Sequence, residues 1–271
     1  MLKAIACNGV LIGSLVVGAT VSGLTAPMLM SARGAFGPAV LQTQSVPEAI
    51  LAVVISLAVS TILAIIVARV CNTAVGMFAL GGGLFGLAWR LDTIEEFAHG
   101  GSASLLAPET ALWALLVLAA ALIVFKVGGP MGDVHVEEDG KSPHGVFSLD
   151  AFKAAAAGIL VLPVVWLVAQ SPMKGQVIGA AFLGAMAAGA VGRIICPHVQ
   201  PVLLFASPVL FGAVGQVIGT ALLKTPMEEA LVAGTIPALL LPMPAHYAAG
   251  SLMGVAVGLG LAKSHIHREE H

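Results

Sequence analysis

AILAVVISLAVSTILAIIVARV, residues 49–70, decides the fold: 22 residues with one charge, Arg69, next to its end. A helix that crosses a hydrocarbon core of about 30 Å needs about 20 such residues. The helix is the required solution because lipid cannot satisfy backbone groups, and the stretch lacks the alternation of a barrel strand. Seven further stretches read the same way, at 5–29, 73–89, 111–127, 154–168, 177–195, 201–223 and 245–262. Residues 73–89 are short and contain Gly81, Gly82 and Gly83, so the count is eight spans, or seven if this one only dips into the bilayer.

Composition agrees with the spans. Apolar residues make up 58% of the 271 positions, charged residues 10%, and mean hydropathy is +1.01. A water-soluble domain could not cover its surface with so few charges. The expected fold is all-α, a polytopic integral membrane helical bundle in contact with the lipid bilayer. Lys3 precedes an apolar run too long for a secretory core of 7–15 residues, so an uncleaved first span is expected. A net charge of -2 excludes a nucleic-acid partner. Cys7, Cys71 and Cys196 have no metal-ligand or CxxC spacing and are expected as packed free thiols.

Basic residues near span ends set orientation. With eight spans, one side holds Lys3, Arg69, Lys126, Lys141, Lys153, Arg193, Lys263 and Arg268, and the other Arg33, Arg90, Lys174 and Lys224. This distribution places both termini in the cytoplasm, in a membrane of the bacterial cytoplasmic type.

Four regions follow along the chain: an N-terminal transmembrane half at 1–127, a polar connector at 128–150, a C-terminal transmembrane half at 151–263 and a polar tail at 264–271. His135 and His144 with Glu137, Glu138 and Asp139 read as a solvated acidic loop, so no metal site is expected. The halves resemble each other. Under a shift of 103 residues, Gly76, Leu80, Gly81, Gly86 and Arg90 fall on Gly179, Leu183, Gly184, Gly189 and Arg193. Spans two to four then match spans five to seven, and an odd step of three helices makes this a three-helix inverted repeat, as in many transporters.

Three capping patterns mark helix starts: Ser45 with Glu48, Asp92 with Glu95, and Thr225 with Glu228. The second predicts a short surface helix over 93–99. The third opens an apolar segment, 226–241, broken by Gly234 and Pro237 and therefore re-entrant or interfacial.

Small residues recur at every fourth position: Ala52, Ser56, Ser60, Ala64 and Ala68; Ser14, Gly18, Ser22 and Ala26, with Gly9 and Gly13 just before; Gly184, Ala188 and Gly192; and Gly250, Gly254, Gly258 and Ala262. Such rows let helix backbones approach closely, which replaces the hydrophobic force that lipid removes. They serve internal packing, or contact with a second copy or other membrane subunits, and the last span is the one expected to face outward.

Asn8, Ser56, Ser60 and Gln216 are candidates to line a neutral pathway, beside the glycine-rich span and the broken segment. Arg90, expected to be held by Asp92 or Glu95, is a candidate gating or interface charge, as are Arg193 and His246. Glu95-Glu96 and Glu228-Glu229 lack the following arginine and the intramembrane histidines of a metalloprotease, and no nucleophile–base pair or phosphate loop is present. No enzyme activity and no cofactor are therefore expected. Two functions remain: a carrier or channel for a small solute or lipid, without a proton-relay carboxylate at mid-depth, and a non-catalytic structural or assembly subunit of a larger membrane complex.

Overall fold

The computed structural model describes residues 2–132 and 146–269. The described residues form eleven α-helices and short 3₁₀ turns, with no strand among them. The helices are α1 Leu2–Leu24, α2 Val46–Val70, α3 Thr73–Arg90, α4 Ile94–Ala98, α5 Ala103–Gly128, α6 Leu149–Ala156, α7 Val161–Val168, α8 Lys174–Ile195, α9 Val202–Leu222, α10 Met227–Val232 and α11 Pro244–Glu269. Among the described residues, seven segments are long and apolar enough to cross a membrane: Ala4–Leu29, Val46–Val70, Ala103–Gly128, Leu149–Val168, Lys174–Ile195, Val202–Leu222 and Pro244–Ser264. The protein is an all-α polytopic membrane bundle.

α3 has 18 residues, a length of about 27 Å. Its first residue, Thr73, bonds to the carbonyl of Gly129 at the end of α5, on the face where α1 begins. Its last, Arg90, lies over the Phe36 ring at the opposite face, which residues 25–45 and α4 cap. The helix therefore runs from one face to the other. It is surrounded by α1, α2 and α11, and its glycines explain the fit. A Cβ added to Gly83 would meet Ser60 of α2, one added to Gly86 would meet the Ala19 backbone of α1, and one added to Gly81 would meet Leu252 and Met253 of α11.

The small-residue rows are packing faces. Ala52, Ser56, Ser60, Ala64 and Ala68 are all buried, as are Ser14, Gly18, Ser22 and Ala26, whereas Gly9 and Gly13 have nothing within 4 Å. Gly184 sits on Val161, and Gly192 on the Ala154 carbonyl and Leu204. Gly250, Gly254 and Gly258 lie on the backbone of α8, at Ile178, Phe182 and Met186, so α8 and α11 run parallel in close contact.

This packing reverses the expectation for the last span. Its window is 78% buried, against 11% for the first span, so α11 is enclosed and α1 is the outer helix. Both faces of α11 are used, one by α8 and one by α3. One apolar core runs through both halves of the chain.

Cys7 and Cys71 are not free thiols; they are joined by a disulfide. α2 returns antiparallel to α1 and brings its end beside the first turns of α1, with Cα atoms 5.3 Å apart although 64 residues separate the two in sequence. Cys196 is free.

Candidate functional site

The four candidate pathway residues do not share a space. Asn8 is exposed on α1 near the terminal face. Ser56 and Ser60 are buried where α1, α2 and α3 meet; Ser56 bonds to Thr25 at 2.9 Å, and Ser60 is packed on Gly83. Gln216 lies elsewhere, on α9.

Arg90 and Arg193 also differ. Arg90 is exposed and lies 5.4 Å from the Phe36 ring centre, while Asp92 pairs with Lys174 at 3.5 Å instead of with Arg90. The Phe36 loop reaches α3 through its carbonyl, which accepts from the Asp92 N–H, and so takes the place beside Arg90. Arg193 is buried near the terminal face.

A different group of residues lies on adjoining elements. After α10 the chain turns at Gly234 and enters the bundle over 237–243 as a 3₁₀ turn, Ala238–Leu240, with irregular backbone on either side. Leu239 lies by Gly215 and Leu240 by Gly219, so the segment runs along α9. Buried irregular backbone must have its polar groups satisfied. Gln216 Nε2 donates to the Pro242 carbonyl at 3.1 Å, and His246 Nδ1 accepts from the Met243 N–H at 3.2 Å. That bond leaves the imidazole proton on Nε2, near the Ala88 carbonyl of α3. The next residue, Tyr247, lays its ring against Gly212, one turn before Gln216. Ser251 follows one turn later on the same face of α11.

Gln216, His246, Tyr247 and Ser251 are fully buried. Among the described residues, Gln216 Oε1, Tyr247 Oη and Ser251 Oγ have no hydrogen-bond partner. Buried polar atoms are nearly always paired, so several unpaired ones on neighbouring elements demand a reason. The Met243 N–H and the Ala88 carbonyl account for His246, and the Pro242 carbonyl for one end of Gln216, which leaves the other end of Gln216, the phenol and the serine unexplained. The sequence points to Gln216 and His246. Tyr247 could have been noted as the single tyrosine of the chain, but the isolation of its hydroxyl depends on tertiary packing.

A buried carboxylate is present as well, which the sequence reading placed outside the spans. Glu109, in the second turn of α5, accepts from the N–H groups of Val40 at 2.7 Å and Leu41 at 3.2 Å. It fastens the capping loop, and both bonds give it a structural role.

On the capped face, Arg33 pairs with Glu96 at 3.7 Å, Ser31 donates to Glu96 at 2.7 Å, and His99 meets Glu228 at 3.1 Å. These contacts hold the 25–45 loop, α4 and α10 together. Among the described residues no three His, Cys, Asp or Glu side chains are placed to hold a metal. The histidine-bearing acidic stretch, with His135, Glu137, Glu138, Asp139 and His144, lies outside the described residues. Neither a protein-family model, nor a curated protein, nor a solved structure matches this chain.

Proposed function

We propose that this protein is a non-enzymatic membrane carrier for a small, uncharged, hydrogen-bonding solute, bound beside the irregular 237–243 segment. The observation that carries this reading is the set of buried, unpartnered atoms on α9 and α11: Gln216 Oε1, Tyr247 Oη and Ser251 Oγ. They offer an acceptor and two hydroxyls, with no Asp, Glu, Lys or Arg among them, which suits a neutral molecule with donors and acceptors of its own. Unwound backbone entering a helix within the bundle is the kind of element from which transport sites are built.

The helix arrangement supports an inverted repeat. The start of α3 and the end of α8 lie at the same face, tied by Thr73 to Gly129 and by Gln200 to Met131, so the two helices run in opposite directions. Gly86 and Gly189, one matched pair, each seat a neighbouring helix, α1 on α3 and α11 on α8.

Swelling of proteoliposomes in gradients of urea, glycerol and larger polyols tests the reading. The wild type is expected to admit at least one of these faster than protein-free vesicles, and Gln216→Leu to abolish that excess. Swelling equal to that of protein-free vesicles for every solute would overturn the carrier and favour a non-catalytic subunit, whose small-residue faces serve assembly.

A further inference from the structure

Residues 224–235, which include α10, join the end of α9 to the 237–243 segment. Of this stretch only Met227 and Ala230 are buried, and Val232 is 86% exposed. Its backbone bonds close on itself: the N–H groups of Ala230, Ala233, Gly234 and Thr235 donate to the carbonyls of Pro226, Glu229, Leu231 and Ala230 in turn. Among the described residues one hydrogen bond ties the stretch to the rest of the molecule, between His99 Nδ1 and the Glu228 carboxylate.

The charged groups around that contact are Arg33 from the 25–45 loop, Asp92, Glu95 and Glu96 from α4 and its approach, and Glu229 on α10. Arg33 pairs with Glu96, and Lys174 with Asp92, while His99 and Glu228 form the pair that crosses from α4 to α10. Local opening is easy where few apolar side chains are buried and the backbone bonds are short-range. Gly234 supplies a hinge. Its φ of 65° suits a glycine, and a Cβ placed there would meet nothing within 4 Å. Beyond the hinge the chain enters the bundle and reaches Pro242, whose carbonyl accepts from Gln216.

We propose that residues 224–235 form a lid on the capped face, hinged at Gly234 and latched by His99 to Glu228, which opens the way to the solute site beside 237–243. The role of the lid rests on the carrier reading, and its motion does not. An exposed pair such as His99 and Glu228 shifts an equilibrium by about two- to fivefold, which biases a lid without locking it. Lids that close over a site commonly turn on such a terminal hinge and govern entry and release.

Amide hydrogen exchange on the full chain in nanodiscs tests the motion without any solute. After correction for intrinsic rates, the amides of Ala230, Ala233 and Thr235 should exchange about a hundredfold faster than those of residues 209–216 in α9. His99→Ala and Glu228→Ala should each raise that exchange about threefold, and the double variant no further than either. Glu229→Ala, which removes the neighbouring first-turn acid, should not raise it. Exchange as slow as in α9, or singles whose effects add in the double variant, would overturn the lid. Its role is tested by joining His99→Cys to Glu228→Cys with a short reducible crosslinker, in a background lacking Cys7, Cys71 and Cys196. The crosslink should abolish the excess swelling of proteoliposomes, and dithiothreitol should restore it. Swelling of locked and unlocked protein alike, above the protein-free rate, overturns the lid and leaves the carrier. Swelling at the protein-free rate in both overturns the carrier, and the role of the lid with it.

Discussion

Tyr247 has its ring fixed against Gly212 and its hydroxyl buried without a partner. A buried hydroxyl that meets nothing costs its desolvation, so Tyr247→Phe should leave the thermal transition unchanged or raise it, by at most about 1 kcal/mol. Under the proposed carrier function the same change would remove a solute contact and should slow solute-driven swelling about tenfold. A fall in stability with no change in swelling would make the phenol structural. Glu109 behaves in the opposite way. Glu109→Ala leaves the Val40 and Leu41 N–H groups without their acceptor, at a cost of about 1–3 kcal/mol, and should speed proteolysis within residues 31–44. At Cys196, burial pushes the thiol above its ordinary pKa. At pH 7 it therefore holds less thiolate than an ordinary cysteine, and its alkylation should be slow and rise about tenfold per pH unit up to that raised value. Maleimide rates between pH 6.5 and 8.5 measure this directly.

Among the elements, α2 is readable from residues alone because its apolar run is unbroken and its small-residue row is regular. α5 is longer than its sequence suggests, starting at Ala103, because Pro108 and Glu109 interrupt the apolar run. Pro108 stands inside the helix, where it removes one backbone hydrogen bond, and the Glu109 carboxylate is consumed by loop backbone. The break between α6 and α7 is hidden for the opposite reason: the apolar run continues through it, and only the fit of Gly158 on α9 marks it. Parallel contact of α8 and α11 depends on backbone proximity at glycines. Gly254→Val places atoms where the Phe182 carbonyl stands and should cost about 3 kcal/mol in detergent melts, while Gly9→Val, in open space, should cost almost nothing. The Cys7–Cys71 clasp is not legible locally, since 64 residues separate its halves. Thiol counting should find one reactive cysteine, Cys196, before reduction and three after it.

For the molecule as a whole, α3 runs between the faces beside the seven apolar spans of the described residues, which puts the start of α1 and the end of α11 on one face. Two features of that face oppose each other. Its excess of basic residues is the mark of a cytoplasmic side, whereas a stable disulfide belongs to an oxidising one. The state of the clasp in intact cells decides between them: a bonded pair turns the termini outward, and free thiols turn them to the cytoplasm. Membrane class and helical fold follow from hydropathy alone. The candidate site follows only in part, because Gln216 and His246 stand out as polar groups in apolar runs, while the unmet needs of Tyr247 and Ser251 arise from packing that no local pattern encodes. The central claim is that this cluster is reached by water-borne solute. Single cysteines at Gln216 and Ser60, in a background lacking Cys7, Cys71 and Cys196, test it with a small hydrophilic thiol reagent on intact membranes. Gln216→Cys should react, and more slowly when the transported solute is present, while Ser60→Cys, packed on Gly83, should not. If Gln216→Cys stays as unreactive as Ser60→Cys while a surface control at Glu228→Cys is labelled, the cluster is sealed packing and the protein is not a carrier.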